Sequence, residues 1–292
     1  MDIRHLTYFI EVAKQKSFTR ASEVLCLSQP TLSKMVKNLE EAMDVELLDR
    51  SSKKVVLTVA GEIVFEEGQK ILNSFQDLSS LVNDMMNLKK GKLKIGVPPL
   101  IAVLYYPKII REFKELYPGI TVQLIEKSAA EVRQDVKDGA LDFGVDLLPV
   151  EGEFDVVPSI DEEMMLFVHH SHPLAAKEEV SLIEIKGESF VYFQESSKLR
   201  QLVDQECSRL GFLPTISYES YNWELISEMV AENLGITIFP KSVVKKVDLS
   251  RVKAIPIVNP TISWKLGIIL NKEKYVSYAA KEMIKYITSQ FR

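Results

Sequence analysis

The chain is poor in the residues that mark several protein classes. Its 292 residues include only two cysteines, Cys26 and Cys207, and four histidines. Cysteines so few and so far apart exclude a disulfide framework and are typical of free thiols in a reducing cytoplasm. No apolar run approaches membrane-spanning length, and the first residues lack a basic-then-apolar secretion signal. We therefore expect a cytoplasmic protein without a membrane segment.

Positive charge is also scarce. Lys and Arg number 36 against 41 Asp and Glu, which gives a net charge of −5. Residues 1–60 hold nine basic and eight acidic residues, a net of +1, so residues 61–292 carry −6. This balance excludes a protein that coats nucleic acid through a broad basic patch, and it leaves room for one with local positive charge. The length suggests about two domains.

What the sequence does contain is the pattern of an amphipathic helix with a polar outer edge at residues 28–40. Ser28 is a suitable N-cap, and Pro30 suits the first helical turn. The inward positions are Leu32, Val36 and Leu39, which follow i, i+4, i+7 spacing. The outward edge carries an amide, a hydroxyl and two ammonium groups, with no carboxylate until Glu40. These groups suit base edges and phosphates, and they belong to Gln29, Ser33, Lys34 and Lys37.

The neighbouring segments complete a winged helix-turn-helix. Apolar spacing predicts a first helix near residues 6–13 and a second one that Thr19 caps, with Ala21, Val24 and Leu25 on its inner face. Residues 45–48 and 55–57 predict two short strands joined by a basic tip. Such a hairpin suits a wing that contacts the DNA backbone or a narrow groove. The alternative is a small helical domain whose lysines are merely solvated.

Residues 58–89 predict one long amphipathic helix. Its apolar stripe is too long to be buried against a 57-residue domain, so we expect it to pair with the same helix of a second subunit. The stripe consists of Ile63, Ile71, Leu78, Val82 and Met85, with Phe75, Leu81, Met86 and Leu88 around it. Residues 89–92 predict a polar hinge. Beyond them, strands and helices alternate, which predicts a largely parallel sheet covered by helices.

Several motifs occur in order along the chain, at residues 6–9, 17–22, 27–33, 39–40, 47–50 and 57–61, and later at Phe113 with 117–119, 139–144, 172–175, 230–236 and 239–240. Together they make the chain resemble the LysR-type transcriptional regulators. The resemblance implies an α/β protein with an N-terminal winged helix-turn-helix, a long linker helix and a C-terminal two-subdomain α/β effector domain resembling a type 2 periplasmic binding protein. The expected boundaries are 1–58, 59–90 and 91–292, with subdomains at about 91–162 plus 266–292 and 163–265. Lys34 stands where the family commonly has Arg, so operator preference is expected to differ.

This resemblance implies a sequence-specific regulator controlled by a small metabolite. The expected DNA contacts are Thr19, Arg20, Gln29, Pro30, Thr31, Ser33, Lys34, Lys37, Arg50, Lys53 and Lys54. The partners are double-stranded DNA with an interrupted palindromic operator, a second copy bound through the linker helix, a homotetramer of two such dimers, and RNA polymerase if the protein is an activator.

The effector is expected between the subdomains, outside the carboxyl ends of the strands. The residues at those ends are Pro98, Pro99, Leu100, Ser128, Asp146, Gln194, Glu195, Ser196, Tyr221 and Asn222. Helix N-termini there favour an anion such as a small carboxylate. Pro98 and Pro99 stand where the family often has hydroxyl residues and donate nothing, so a smaller or less polar effector is the alternative.

The sequence offers little that suits an enzyme. His170 and His172 would share a face of an extended segment, as metal ligands or a base would, but residues 172–175 match a structural turn of the family. The chain has no Gly-rich phosphate loop, zinc-finger spacing or nucleophile elbow. We expect no catalytic residues, no metal and no cofactor. A solute-binding module and an enzyme remain the rival interpretations, and a redox-sensing thiol would need a resolving partner.

Overall fold

The computed structural model describes residues 2–49, 55–85 and 90–291. They form two compact units that divide near residue 89. The first unit contains α1 (Ile3–Gln15), α2 (Phe18–Leu25), α3 (Gln29–Met43), β1 (Leu48–Asp49), β2 (Val56–Leu57) and α4 (Val59–Met85). None of the helices in the described residues is long and apolar enough to cross a membrane.

Side-chain caps and left-handed residues set the helix ends in the first unit. Ser17 caps α2 by accepting a hydrogen bond from the N–H of Arg20, and Cys26 ends the helix with a φ of 53°. Thr19 therefore lies inside α2, and its prediction as the cap was wrong. Val24 is 59% exposed, so its predicted inward position was also wrong. The tight left-handed end of α2 leads directly into α3, as a helix-turn-helix requires.

The wing is held by the start of α4. The Thr58 hydroxyl donates to the carbonyl of Glu46 at 2.7 Å, and the Thr58 N–H donates to the carbonyl of Leu47 at 3.0 Å. A Cβ at Gly61 would lie 2.0 Å from that same Leu47 oxygen, so only glycine permits this approach. The strands pair antiparallel from Leu48 opposite Leu57. β1 begins at Leu48 and not at residue 45 as predicted, because residues 45–47 connect α3 to the wing outside the paired strands.

The second unit is a mixed α/β domain. Its strands are β3 (Gly91–Val97), β4 (Ile120–Glu126), β5 (Phe143–Leu147), β6 (Phe154–His169), β7 (Val180–Ser181), β8 (Ser189–Phe193), β9 (Thr215–Ser220), β10 (Thr237–Pro240), β11 (Val252–Val258) and β12 (Ser263–Asn271). Its helices are α5 (Pro99–Leu116), α6 (Ala129–Lys137), α7 (Lys198–Arg209), α8 (Trp223–Ala231) and α9 (Tyr278–Gln290). Gly91 and Lys92 pair with β4, so the second half of the predicted hinge at residues 89–92 belongs to β3.

Two long antiparallel strands run through the middle of this domain. The larger sheet has the order β4-β3-β5-β12-β6-β11-β7, with β10 also pairing with β6, and β8 pairs in parallel with β9 in a separate sheet. The predicted largely parallel sheet was wrong, because β12 pairs antiparallel with both β5 and β6, and β6 does so with β10 and β11. The boundaries predicted between the two subdomains, near residues 162 and 265, lie in this pair of strands, where Asp161 is opposite Lys265.

The core of the second unit is continuous across these strands. Its largest fully buried side chains are aromatic, which contribute large apolar areas and pack edge to face. They are Tyr192, Phe113, Phe143, Phe167, Phe190 and Phe239. The Phe167 and Phe239 rings lie 5.5 Å apart at 67°. The core therefore fixes β6, β8 and β10 relative to one another, and it positions the strand ends from which the cleft described below is built.

Candidate functional site

The first candidate site is the outer face of α3. Its inner face is fixed by burial of Leu32, Val36 and Leu39. Ser28 caps the helix, and its hydroxyl oxygen accepts from the N–H of Thr31 and lies 2.7 Å from the Thr31 hydroxyl. The cap thus sets the first turn of α3, and it engages the Thr31 side chain locally.

Eight of the predicted DNA contacts lie on α2 and α3. Ser33 is half-buried and the others are exposed: Thr19, Arg20, Gln29, Pro30, Thr31, Lys34 and Lys37. Lys37 pairs with Glu41 one turn later at 3.3 Å, but both side chains are more than 60% exposed, so this pair contributes little. The wing residues Arg50, Lys53 and Lys54 lie outside the described residues.

Glu40 has a role that the sequence interpretation missed. It was placed on the outward edge, but it is only 7% exposed, and its Oε1 accepts hydrogen bonds from the N–H groups of Leu47 at 2.9 Å and Leu48 at 3.2 Å. Its spacing of i+8 from Leu32 continues the inner stripe, and this was the available signal. Glu40 therefore joins α3 to the first strand of the wing.

The second half of α4 carries an apolar stripe that nothing in the described part of this chain covers. Its members recur every three or four residues and have between 48 and 59% of their surface exposed: Ile71, Phe75, Leu78 and Val82, preceded by Ile63. Single exposed apolar residues are ordinary, but a contiguous stripe of this length marks an interaction surface.

The second candidate site is a cleft in the α/β domain, with a volume of about 230 Å³. Its wall includes seven of the ten predicted effector residues: Pro98, Pro99, Leu100, Ser128, Asp146, Ser196 and Tyr221. The sequence interpretation missed ten others, which are Ile101, Ala129, Leu147, Phe193, Ser197, Lys198, Leu199, Trp223, Trp264 and Leu266.

The other three predicted residues are near the cleft but outside its wall. Asn222 caps α8, because its Oδ1 accepts from the N–H of Glu224 at 2.8 Å and of Leu225 at 3.3 Å. Glu195 is exposed, and the Gln194 carbonyl accepts from the N–H of Ser197. These residues shape the loops around the cleft.

Most of the wall is apolar and aromatic. Phe193, Tyr221, Trp223 and Trp264 all contribute to it. The two tryptophans are the only ones in the sequence, so intrinsic tryptophan fluorescence reports directly on this cleft. An aromatic wall of this kind suits a ligand with a flat or compact apolar body.

Three charged side chains form an ion cluster at the cleft. Asp146 is fully buried at the end of β5, and its Oδ2 lies 2.6 Å from Arg133 Nη1 of α6 and 3.3 Å from Lys198 Nζ at the start of α7. Its Oδ1 accepts from the N–H of Leu147 at 2.7 Å. The cluster joins β5 and α6, on one side of the cleft, to α7 on the other. Neither cation could be found from sequence, because residues 133, 146 and 198 meet only in the fold.

Ser128 is less available to a ligand than its place in the wall suggests. Its hydroxyl and its N–H both donate to the carboxylate of Glu131, at 2.6 and 3.0 Å, in a reciprocal cap of α6. These bonds lower the pKa of Glu131, which is exposed. The donors of Ser128 are therefore already used within the protein.

Four helices begin at the cleft. Residues at or next to the first turns of α5, α6, α7 and α8 lie in its wall. The first N–H groups of a helix have no partner inside it, and the helix dipole makes them favour an anion. On α5 the prolines 98 and 99 have no N–H, so Leu100 and Ile101 are the first residues of that helix that can donate. The geometry favours a negatively charged group near α7.

The histidine segment is a structural turn. His169 ends β6, and His172 Nδ1 accepts from the N–H of Leu174 to cap the short helix at residues 173–176. Its Nε2 lies 3.4 Å from the carboxylate of Glu188, a contact that no motif in the sequence predicts. Across the described ranges, no group of three or more His, Cys, Asp or Glu side chains could hold a metal ion.

Comparison with known proteins agrees with both parts of this description. Residues 3–62 match the lysR family of bacterial regulatory helix-turn-helix proteins, and residues 87–292 match the LysR substrate binding domain. An uncharacterized HTH-type transcriptional regulator of Bacillus subtilis, YwbI, is 46% identical over 290 residues, which is 99% of this chain and 96% of YwbI.

Solved structures have the same fold along the full chain. A full-length OxyR variant from Pseudomonas aeruginosa superposes with a TM-score of 0.77 at 26% identity, covering 100% of this chain and 95% of that one. CbnR in complex with its target DNA gives a TM-score of 0.73 at 20% identity and full coverage of both chains, which shows the fold alone. The fold predicted from sequence is confirmed, and so is its assignment to regulators rather than enzymes. The chain belongs to the LysR family and is a DNA-binding transcriptional regulator with an effector-binding domain.

Proposed function

We propose that this regulator reads its operator with the outer face of α3 and is controlled by a small carboxylate bound in the cleft of its α/β domain. The observation that supports the DNA part most directly is the outward row of polar groups on α3, in which Gln29, Lys34 and Lys37 are exposed and Ser33 is half-buried. Such groups can bind base edges in the major groove, while Arg50, Lys53 and Lys54 of the wing and Thr19 and Arg20 of α2 hold phosphates.

We propose further that α4 pairs with α4 of a second copy. The stripe from Ile71 to Val82 is exposed in a single chain, and an identical stripe is its simplest complementary partner. A twofold dimer carries two reading helices and therefore binds an operator with two half-sites, an interrupted palindrome. Two such dimers would form the tetramer that the family resemblance implies.

The carboxylate is supported by the charges at the cleft. Lys198 lies in the wall beside the first N–H groups of α7, and the aromatic side chains accommodate an apolar body. Binding there would change how the β5 side and the α7 side of the cleft are held together. Subunit packing would change with it, and so would the spacing or bend that the reading helices impose on DNA. This takes place in the cytoplasm, where the DNA is, and with RNA polymerase as partner if the protein activates.

The experiment is a titration of full-length protein against DNA from upstream of its own gene, at near-physiological salt with excess random competitor. We expect a protected site that resists competitor. Replacing Gln29, Ser33 and Lys34 together by Ala should abolish this site and leave the melting temperature unchanged, because these side chains carry little of the core.

The matched control is Lys14→Ala, which removes an exposed lysine from α1. It should leave the protected site intact. Equal binding by the triple variant and the wild type would contradict the assignment of α3, and absence of binding to any genomic fragment would contradict operator reading altogether.

A further inference from the structure

The charges around the cleft do not cancel. Arg133 and Lys198 are both within ion-pair distance of Asp146, at 2.6 and 3.3 Å, and the three groups sum to +1. Among the described residues of the wall, only Lys198 and Asp146 are charged. The cluster therefore leaves one positive charge facing a cleft that is otherwise apolar or uncharged.

Lys198 is the cation that a ligand can reach. Both cations are 19% exposed, but only Lys198 lies in the wall, and Arg133 contacts Asp146 from outside it. A lysine ammonium has three N–H donors, and the bond to Asp146 uses one. The remaining donors are placed next to the start of α7, whose dipole has the same sign.

Asp146 limits how much negative charge the cleft can hold. Its buried carboxylate takes up the charge of one of the two cations, and Arg133 donates to it at 2.6 Å. A ligand with a second carboxylate would place that group against Phe193, Trp223 or Trp264, and the described residues of the wall include no second cation to pair with it. Burying an unpaired charge in such surroundings is costly.

We infer that Lys198 and its internal counter-ion Asp146 make this cleft selective for a single carboxylate, so that the effector is a monocarboxylate with a compact apolar or aromatic body. The inference rests on the proposed function, in which the cleft binds the effector. It goes further by naming the residue that reads the charge and the one that restricts it. The ligand also competes with Asp146 for Lys198, and so loosens the bond between α7 and β5.

The test uses a panel of small organic acids on the full-length protein. Each carbon skeleton, aromatic or branched aliphatic, is tested as three compounds: the monocarboxylate, the neutral amide and the dicarboxylate. Benzoate, benzamide and isophthalate form one such set. Tryptophan fluorescence is the readout, because both tryptophans of the chain lie in the wall, and the melting temperature is the second readout. For the skeleton that binds best, we expect the carboxylate to bind about tenfold more tightly than either relative, as a charged hydrogen bond predicts.

Two substitutions assign the preference to its residues. Lys198→Met should bring carboxylate and amide within about twofold of each other, while Lys198→Arg should keep most of the preference. Asp146→Asn, which preserves shape and an acceptor for Arg133, should shift the preference toward the dicarboxylate by about tenfold. Lys246→Met is the matched control at an exposed lysine outside the wall, and it should change nothing.

The outcomes separate the inference from the proposal beneath it. If the amide binds wild-type protein as well as the carboxylate does, or if the preference survives in Lys198→Met, the charge assignment is wrong and the effector cleft stands. If Asp146→Asn folds and still rejects the dicarboxylate, Asp146 does not set the limit. If no member of the panel, charged or neutral, changes either readout, the effector cleft itself is contradicted and the inference falls with it.

Discussion

The buried carboxylate of Glu40 accepts a hydrogen bond from the backbone N–H of Leu47 at 2.9 Å, and the N–H of Leu48 donates to the same oxygen at 3.2 Å. Glu40 belongs to the reading helix, and Leu48 begins the wing. One side chain therefore fixes the angle between the two elements that we expect to contact DNA.

Glu40→Ala should lower both the stability of the first unit and its affinity for DNA. Two backbone N–H groups would lose their partner in a buried place, which costs about 1–3 kcal/mol. We expect a lower melting temperature and weaker operator binding, measured by circular dichroism and by DNA titration. Glu41→Ala, at the exposed neighbour that pairs with Lys37, is the control and should change the melting temperature little. Unchanged operator affinity in Glu40→Ala would show that the wing angle does not matter for binding.

Phe75→Asp combined with Leu78→Asp should prevent dimer formation. Both residues are more than half exposed on the α4 stripe, and pairing would bury the new carboxylates against apolar side chains. Light scattering after size-exclusion chromatography should give the mass of a monomer for this variant and a multiple of it for the wild type. Glu66→Lys, a charge change at an exposed position off the stripe, should leave the mass unchanged. A double variant with wild-type mass would place the subunit contact elsewhere.

The two thiols should differ sharply in reactivity. Burial raises the pKa of Cys207 to about 12, and Asp204 and Glu206 add to the shift, so this thiol stays protonated at neutral pH. Cys26 is exposed. Because the thiolate is the reactive form, a disulfide reagent at pH 7–8 should label one thiol per native chain and two per unfolded chain.

Cys26→Ser should abolish the fast labelling, and Cys207→Ser should leave it intact. Raising the pH toward 9 should leave Cys207 slow, since its pKa of about 12 lies well above that range. Rapid labelling of Cys207 in the native protein would contradict its assignment as a core residue and would revive the redox-sensing alternative.

Tyr105→Phe should destabilise the α/β domain. The Tyr105 hydroxyl of α5 donates to Glu162 of β6, which also accepts from the N–H and hydroxyl of Ser242 at 3.1 and 2.7 Å. Burial and the bond to Glu162 raise the pKa of Tyr105 above its ordinary value, so it remains a donor at neutral pH. We expect a loss of about 1–2 kcal/mol in the free energy of unfolding.

A second tyrosine gives the comparison. Tyr117 also donates to a carboxylate, that of Glu282, at 2.7 Å, but in a less buried place than Tyr105. Tyr117→Phe should therefore cost less than Tyr105→Phe in urea unfolding. Equal losses would mean that the bond from Tyr105 to Glu162 stabilises the domain no more than the less buried bond from Tyr117 to Glu282 does.

Local sequence patterns predicted the DNA-binding half closely. The apolar positions of α1 and α3 repeat at helical spacing, and a strong cap at Ser28 marks where α3 begins. The burial of Glu40 was not predicted, because its charge was taken to place it on the outward face and its helical spacing was not considered. The wing strands were placed near their positions, and only their lengths differ.

The α/β domain was harder because its decisive contacts join distant residues. The first half of β6 contains acidic residues and Pro158, which do not resemble a buried strand, and it is held by pairing with β12. The Asp146 cluster joins residues separated by 13 and 52 positions. Strand ends could be located from hydrophobic runs, so seven of the wall residues were named, but the charge of the cleft depends on the fold.

The passage of β12 between β5 and β6 has a consequence for how the α/β domain acquires its structure. β5 ends at Leu147, and its second neighbour in the sheet, β12, does not begin until Ser263. During synthesis, the sheet of β3, β4 and β5 therefore has an unpaired edge until more than a hundred further residues have been made. Contacts of such long sequence separation also form slowly. An open edge is a template for association with other chains. A fragment that stops before Ser263 should be prone to aggregation, because it lacks β12, the strand that pairs with the open edge of β5.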